Sequence, residues 1–253
     1  MAEGGKVRLP RMAMSPWDRF ILHRKNPWMV MWWSAALPGL GHLCQSAYFK
    51  GINLMFWEIV INFKARLNQG ILFTLTGNFE KAREVVNTEW ALVYGALFCF
   101  AIFDSYRMGV ELNLIAGLEK KKKKKRKYSF IKMKPTGINY LDRGNPWVAA
   151  AWSSLLPGFG HIYNMKAVKS LIILGWALAI IHFSHVNDGV ILTFTGEFSK
   201  AREIVNYQWL IFFPSIYLFS IWDSYNDAVE MNKLFEEEQT NNLLKNYGKK
   251  INL

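Results

Sequence analysis

The chain has 253 residues, 51% of them hydrophobic and 20% charged, with a formal net charge of +12. These values lie near the globular average, so they exclude neither a soluble nor a membrane protein, and neither one domain nor two. Two cysteines, Cys44 and Cys99, are too few for a disulfide framework or a cysteine metal site; with no Gly-rich phosphate loop, HExxH, CxxC or Ser/His/Asp arrangement, no catalysis, metal or cofactor is expected.

The distribution of residues is more informative, because apolar residues gather in blocks while charge collects at the ends and in the middle. Residues 1–25 form a basic arm, with Lys6, Arg8, Arg11, Arg19, Arg24 and Lys25 against Glu3 and Asp18. The arm lacks an apolar core of signal-peptide length, so insertion is expected to start from the first apolar segment itself. That segment, 28–45, opens on Asn26-Pro27-Trp28: the proline suits a first helical turn and the tryptophan a headgroup depth. It contains Pro38-Gly39-Leu40-Gly41-His42. A second segment, 50–63, leads to Thr76-Gly77 and Lys81-Ala82-Arg83-Glu84. The last stretch reads as an amphipathic surface helix running into the third segment, with Phe79, Val86 and Trp90 on one face and Lys81, Glu84 and Asn87 on another. The third segment, 90–106, ends in Asp104-Ser105-Tyr106. Residues 114–144 form a linker holding Lys120, Lys121, Lys122, Lys123, Lys124, Lys125, Arg126 and Lys127.

Beyond the linker the series repeats. At an offset of 119 residues, 26–113 aligns without a gap on 145–232, with about 34 of 88 positions identical, so a duplication is the economical explanation. Pro157-Gly158-Phe159-Gly160-His161 and Asp223-Ser224-Tyr225 take the places of the earlier groups, and segments of 147–163, 168–183 and 207–225 follow. A polar tail, 233–253, ends the chain. The expected fold is all-α: a polytopic integral membrane helical bundle of two homologous three-segment repeats.

Charge constrains the topology. Both the arm and the linker should stay cytoplasmic, which requires the first copy to cross an even number of times. One of the three segments would then be re-entrant or too short, the candidates being the first, interrupted by Pro-Gly-x-Gly, and the second. This gives four crossings in two parallel copies, against an alternative of six in two inverted copies.

The residues Leu156-Pro157-Gly158-Phe159-Gly160-His161-Ile162-Tyr163-Asn164, with Lys169 and Trp222-Asp223-Ser224-Tyr225, resemble the bacterial proteins of the two-transmembrane domain family. The first copy has Pro38-Gly39-Leu40-Gly41-His42, Lys50-Gly51 and Asp104-Ser105-Tyr106, with Cys44 where the family has tyrosine. The resemblance omits the Thr-Gly to Lys-Ala-Arg-Glu insertion, and it implies membrane helices without implying an activity.

The candidate polar cluster is His42, Asp104 and Tyr106 in the first copy and His161, Asp223 and Tyr225 in the second. Two readings are open: an ion or proton site in each copy, or histidines that cap the broken helix with aspartates at the cytoplasmic interface. The groups Pro38, Gly39, Gly41 and Pro157, Gly158, Gly160 are read as helix-packing motifs, forming the tightest crossing of each copy against its third segment. Glu58 has Ala177 as its counterpart and is assigned to a helix contact; His182 and His185, with Phe63 and Arg66 opposite, lack an evident third ligand for a metal. The basic run is expected to set topology and attract anionic lipid headgroups rather than nucleic acid. The leading functional expectation is a non-catalytic organiser or partner-binding protein of the cell membrane, contacting the lipid bilayer and a membrane protein partner. A small transporter or channel comes second and a membrane enzyme last.

Overall fold

The computed structural model describes residues 11–121, 131–134 and 137–247, and these are predominantly helical. An antiparallel hairpin of β1 (Met12–Met14) and β2 (Arg19–Ile21) comes first. Helices α1 (Pro27–Ala36), α2 (Leu40–Cys44), α3 (Tyr48–Ala65), α4 (Leu67–Leu75), α5 (Phe79–Val85) and α6 (Thr88–Lys121) follow. A second hairpin, β3 (Ile131–Lys134) with β4 (Gly137–Tyr140), leads to α7 (Pro146–Leu155), α8 (Phe159–Tyr163), α9 (Ala167–Ser184), α10 (Val186–Phe194), α11 (Phe198–Ile204), α12 (Tyr207–Leu210) and α13 (Phe213–Tyr247). Of the basic run, Lys120 and Lys121 end α6, while Lys122 to Lys127 lie outside the described residues.

The boundaries of α1 to α5 recur 119 residues later in α7 to α11, and so do the backbone exceptions. Gly39 and Gly158 take φ of 108° and 103°, Ser46 and Met165 62° and 55°, Arg66 and His185 54° and 53°, Gly77 and Gly196 78° and 83°. A non-glycine residue at positive φ is uncommon, so coincidence at matched positions marks a shared local fold. The hairpins obey the same offset, since Met12 pairs with Ile21 and Ile131 with Tyr140. Regular structure therefore extends upstream into the arm and the linker, beyond the aligned 26–113 and 145–232.

Among the described residues two helices, Thr88–Glu119 and Ala167–Ser184, are long and apolar enough to cross a membrane; Phe198–Ile204 with Tyr207–Leu244, bent by 74°, is a third if counted as one span. Only 17% and 33% of the apolar windows of the first two are buried inside the protein, which leaves their remaining apolar surface for another medium. The second segment is longer than its apolar core suggested, because α3 has 18 residues and spans about 27 Å. Lys50, Glu58 and Lys64 lie within it. The Lys-Ala-Arg-Glu stretch does not run into the third segment: α5 is a separate seven-residue helix, ended at Val86 in an extended conformation.

Contacts divide the chain into two compact units, and the division does not follow the sequence repeat. One unit comprises Met1–Arg24, Leu112–Ser170 and Ser220–Leu253; the other comprises Lys25–Glu111 and Leu171–Phe219. In the first, Met12, Ile21, Leu141, Met231 and Leu234 form an apolar cluster joining both strands of the first hairpin, the residue after the second and α13. Arg19 is buried there. It donates to Asn139 Oδ1 at 2.5 Å and to the Tyr140 carbonyl, and reaches Asp142 at 3.4 Å. Burial lowers its pKa from the ordinary value while Asp142 opposes the shift. Arg19 is thus a structural clasp rather than one more charge of a basic arm.

Candidate functional site: two histidine–aspartate–lysine clusters

Each Pro-Gly-x-Gly-His group makes a short helical hairpin. Asn26 caps α1 by accepting from Trp28 N–H, with Pro27 in the first turn; Asn145 does the same for α7. The helix stops at the proline, and the next glycine supplies a left-handed backbone that reverses the chain into α2 or α8. Lys25 Nζ donates to the Cys44 carbonyl, so residues 25 and 44 lie side by side. In the second copy Asn145 N–H donates to Tyr163 Oη at 3.1 Å. The first apolar segment of each copy therefore returns to where it began.

The return is close. A Cβ on Gly41 would lie 2.2 Å from Val30 O and 3.2 Å from Ser105 Cβ, and one on Gly160 2.1 Å from Ala149 O and 2.8 Å from Ser224 Cβ. The neighbour at these points is the third segment, through Ser105 and Ser224. Gln45 Nε2 donates to Ser105 O at 3.0 Å and Asn164 Nδ2 to Ser224 O at 2.7 Å, two amides of different length serving one contact. Gly158 N–H donates to Ser220 Oγ and its carbonyl accepts from Ser170 Oγ, so side chains meet the polar groups freed by the break.

On this scaffold His42 Nε2 meets Asp104 Oδ2 at 3.0 Å, and His161 Nε2 meets Asp223 Oδ2 at 3.0 Å, all four residues being buried. The histidines do not cap the broken helix. Their Nδ1 atoms have no partner among the described residues. Because each aspartate also receives cationic donors, it is the ionised acceptor and Nε2 carries the proton. The tyrosines are elsewhere: Tyr106 packs edge-on against Trp28 with centroids 5.3 Å apart, and Tyr225 against Trp147 at 5.1 Å. These aromatic pairs lie at the helix entrances, so Tyr106 and Tyr225 leave the expected cluster.

Lysines complete the clusters. Lys50 Nζ lies 2.7 Å from Asp104 Oδ2, and Arg107 reaches Oδ1 at 2.8 Å, both cations being about half exposed. In the second copy Lys169 is fully buried and donates to Asp223, and to Asp227 at 2.9 Å; Lys166 holds the other Asp227 oxygen at 2.7 Å. Two carboxylates and two ammonium groups sum to zero, which makes burial tolerable. One atom each of His161, Asp223 and Asp227 lies within 4.8 Å of the others, a spacing that would suit a metal ion. The Lys169 ammonium bonded to both carboxylates supplies the positive charge that such an ion would bring.

The recurrence of Lys50 and Lys169 at the repeat offset was available in the sequence as a signal for these partners. So was the joint appearance of Lys166 and Asp227, where the first copy has Ala47 and Met108. Glu58 belongs to a separate buried network with Asn62 and Tyr94. His185 pairs with Asp188 at 3.4 Å and His182 packs against Phe183. No family model, curated protein or solved structure matches the chain.

Proposed function

We propose that this chain is a multi-pass protein of the cell membrane, without catalytic activity, that organises or binds partners in the bilayer. It would be built from two copies of a repeat resembling the two-transmembrane domain family. In this reading each copy crosses twice, through α3 and α6 or through α9 and α13, and the α1–α2 and α7–α8 hairpins enter and leave on the cytoplasmic face. The arm and the basic linker then share that face, in accord with their charge. The exposed Trp28 and Trp147 at the hairpin entrances suit headgroup depth, and the run from Lys120 to Lys127 would attract anionic lipid headgroups.

The observation that carries the non-catalytic reading is the saturation of each aspartate by the chain's own cations. A transport site must release its ion and recover, whereas Asp223 and Asp227 hold Lys166 and Lys169 in direct contact with little exposure. The clusters serve better as fasteners joining the hairpin to the crossing helices.

Single cysteines in the arm, at position 83, in the linker and after Glu236 would be probed with an impermeant maleimide in sealed cells. Labelling of position 83 alone is expected. Replacing the eight basic residues at 120–127 by Gln is expected to mix the two patterns and weaken binding to anionic vesicles; an unchanged map and unchanged binding would reduce the run to a spacer. Proton or cation flux in proteoliposomes that His161→Gln and Asp223→Asn abolish would replace the organiser with a transporter.

A further inference from the structure

The corner between α3 and α4 is covered by the start of α12. Asn68 Nδ2 donates to the Gln208 carbonyl at 2.8 Å, Gln208 Oε1 accepts from Gln69 N–H at 3.1 Å, and Gln208 Nε2 donates to Asn62 Oδ1 at 2.8 Å. Beside this polar junction the Trp209 ring packs on Phe63, with centroids 4.9 Å apart. Asn62, Asn68 and Gln208 are all buried, and Phe63, Gln69 and Trp209 are partly covered. Residues of the first copy thus receive a segment of the second.

Moving every participant by the repeat offset gives Ile181, His182, Asn187 and Asp188 as the receiving corner, and Thr88, Glu89 and Trp90 as the inserting segment. Here the chain is open: His182, Asn187, Asp188, Thr88, Glu89 and Trp90 are all exposed. The staple within each copy is kept beside it: Asn87 N–H donates to Ala65 O at 3.0 Å and Asn206 N–H to Ser184 O at 2.9 Å. The chain therefore carries a socket and a plug of matching descent, neither in use among the described residues.

We propose that a second copy of this chain fills the open socket, with residues 88–90 of one chain seated on residues 181–188 of the next. This rests on the duplication reading. The side chains have changed in step. Gln208, which has an amide to donate, faces the acceptor Asn62; Glu89, which has none, would face the apolar Ile181, its carboxylate accepting from the Asp188 backbone N–H as Gln208 does from Gln69. Asn187 keeps the role of Asn68 as donor to a carbonyl. His182 takes the place of Phe63 beneath Trp90, an imidazole on an indole in place of a phenyl ring. Because socket and plug are different surfaces, the contact is heterologous, and association continues from chain to chain until it closes a ring.

The test uses the full chain with Cys44→Ala and Cys99→Ser. Chains carrying Trp90→Cys are co-expressed with differently tagged chains carrying Asn187→Cys, and membranes are treated with a short bismaleimide. The expected result is a cross-linked pair bearing both tags, with little product between two Trp90→Cys chains or two Asn187→Cys chains. Asn68→Cys with Gln208→Cys in one chain should link internally. If the internal link forms and the mixed pair does not, or if like pairs link as readily as unlike ones, docking of a second copy is overturned. If the internal link itself fails, the contact between copies falls, and the proposal with it. Asn187→Arg, a change at an exposed position, is expected to leave thermal stability unaltered and to shift the detergent-solubilised protein to monomer by light scattering. An unchanged oligomer would refute the socket.

Discussion

Lys169→Met is expected to destabilise the protein by about 3–5 kcal/mol, read as a loss of thermal stability in detergent, because it leaves Asp223 and Asp227 buried with fewer counter-charges. Lys169 is 0% exposed in its side chain and touches both carboxylates. The matched change in the first copy, Lys50→Met, should cost about 0–1 kcal/mol, since Lys50 is 44% exposed and Asp104 keeps Arg107. The same substitution at matched positions of one chain thus separates a desolvated ion cluster from one opened toward solvent. Adding Asp223→Asn and Asp227→Asn to Lys169→Met should recover part of the loss by removing the orphaned charges. Equal effects of the two lysine changes would mean that water reaches Lys169, and the fastener role of the second cluster would be lost.

Much of this arrangement was legible in the sequence because it rests on residue types with few uses. A proline followed by two spaced glycines ends a helix and allows a close return, and a histidine next to them needs a polar neighbour; the Asp-Ser-Tyr group supplied one. The tyrosine of that group was misplaced, since successive residues of a helix point in different directions and Tyr106 cannot share the direction of Asp104. The hairpins escaped notice because three- and four-residue strands leave little periodicity, and 11–25 and 130–144 share only a few identities, among them Met14 with Met133 and Leu22 with Leu141. Asn62 and Gln208 were invisible for a different reason. Their counterparts Ile181 and Glu89 do not match in chemistry, so a search for shared polar residues keeps Asn68 with Asn187 and discards the two partners that complete this contact between the copies.

The glycine pairs give the second large effect and test the hairpin itself. Gly160→Leu is expected to cost on the order of 1–3 kcal/mol through overpacking, and Gly41→Leu a similar amount. Even alanine should be felt at these positions, because the added Cβ would meet backbone carbonyls at 2.1 and 2.2 Å rather than the flexible end of a side chain. Gly39 and Gly158 bear a second penalty, since φ of 108° and 103° disfavours any residue with a Cβ. Gly95 and Gly175 are the controls: nothing lies within 4 Å of a Cβ on either, and both are helical, so alanine there should stabilise by the helix-propensity difference, up to about 1 kcal/mol. His42→Ala should hurt more than His42→Gln, which retains a donor for Asp104. Thermal melts of this set order the positions directly. If Gly41→Ala and Gly160→Ala melt no lower than Gly95→Ala and Gly175→Ala, the hairpin does not lie against the third segment, and the histidine–aspartate contacts built on that crossing lose their support.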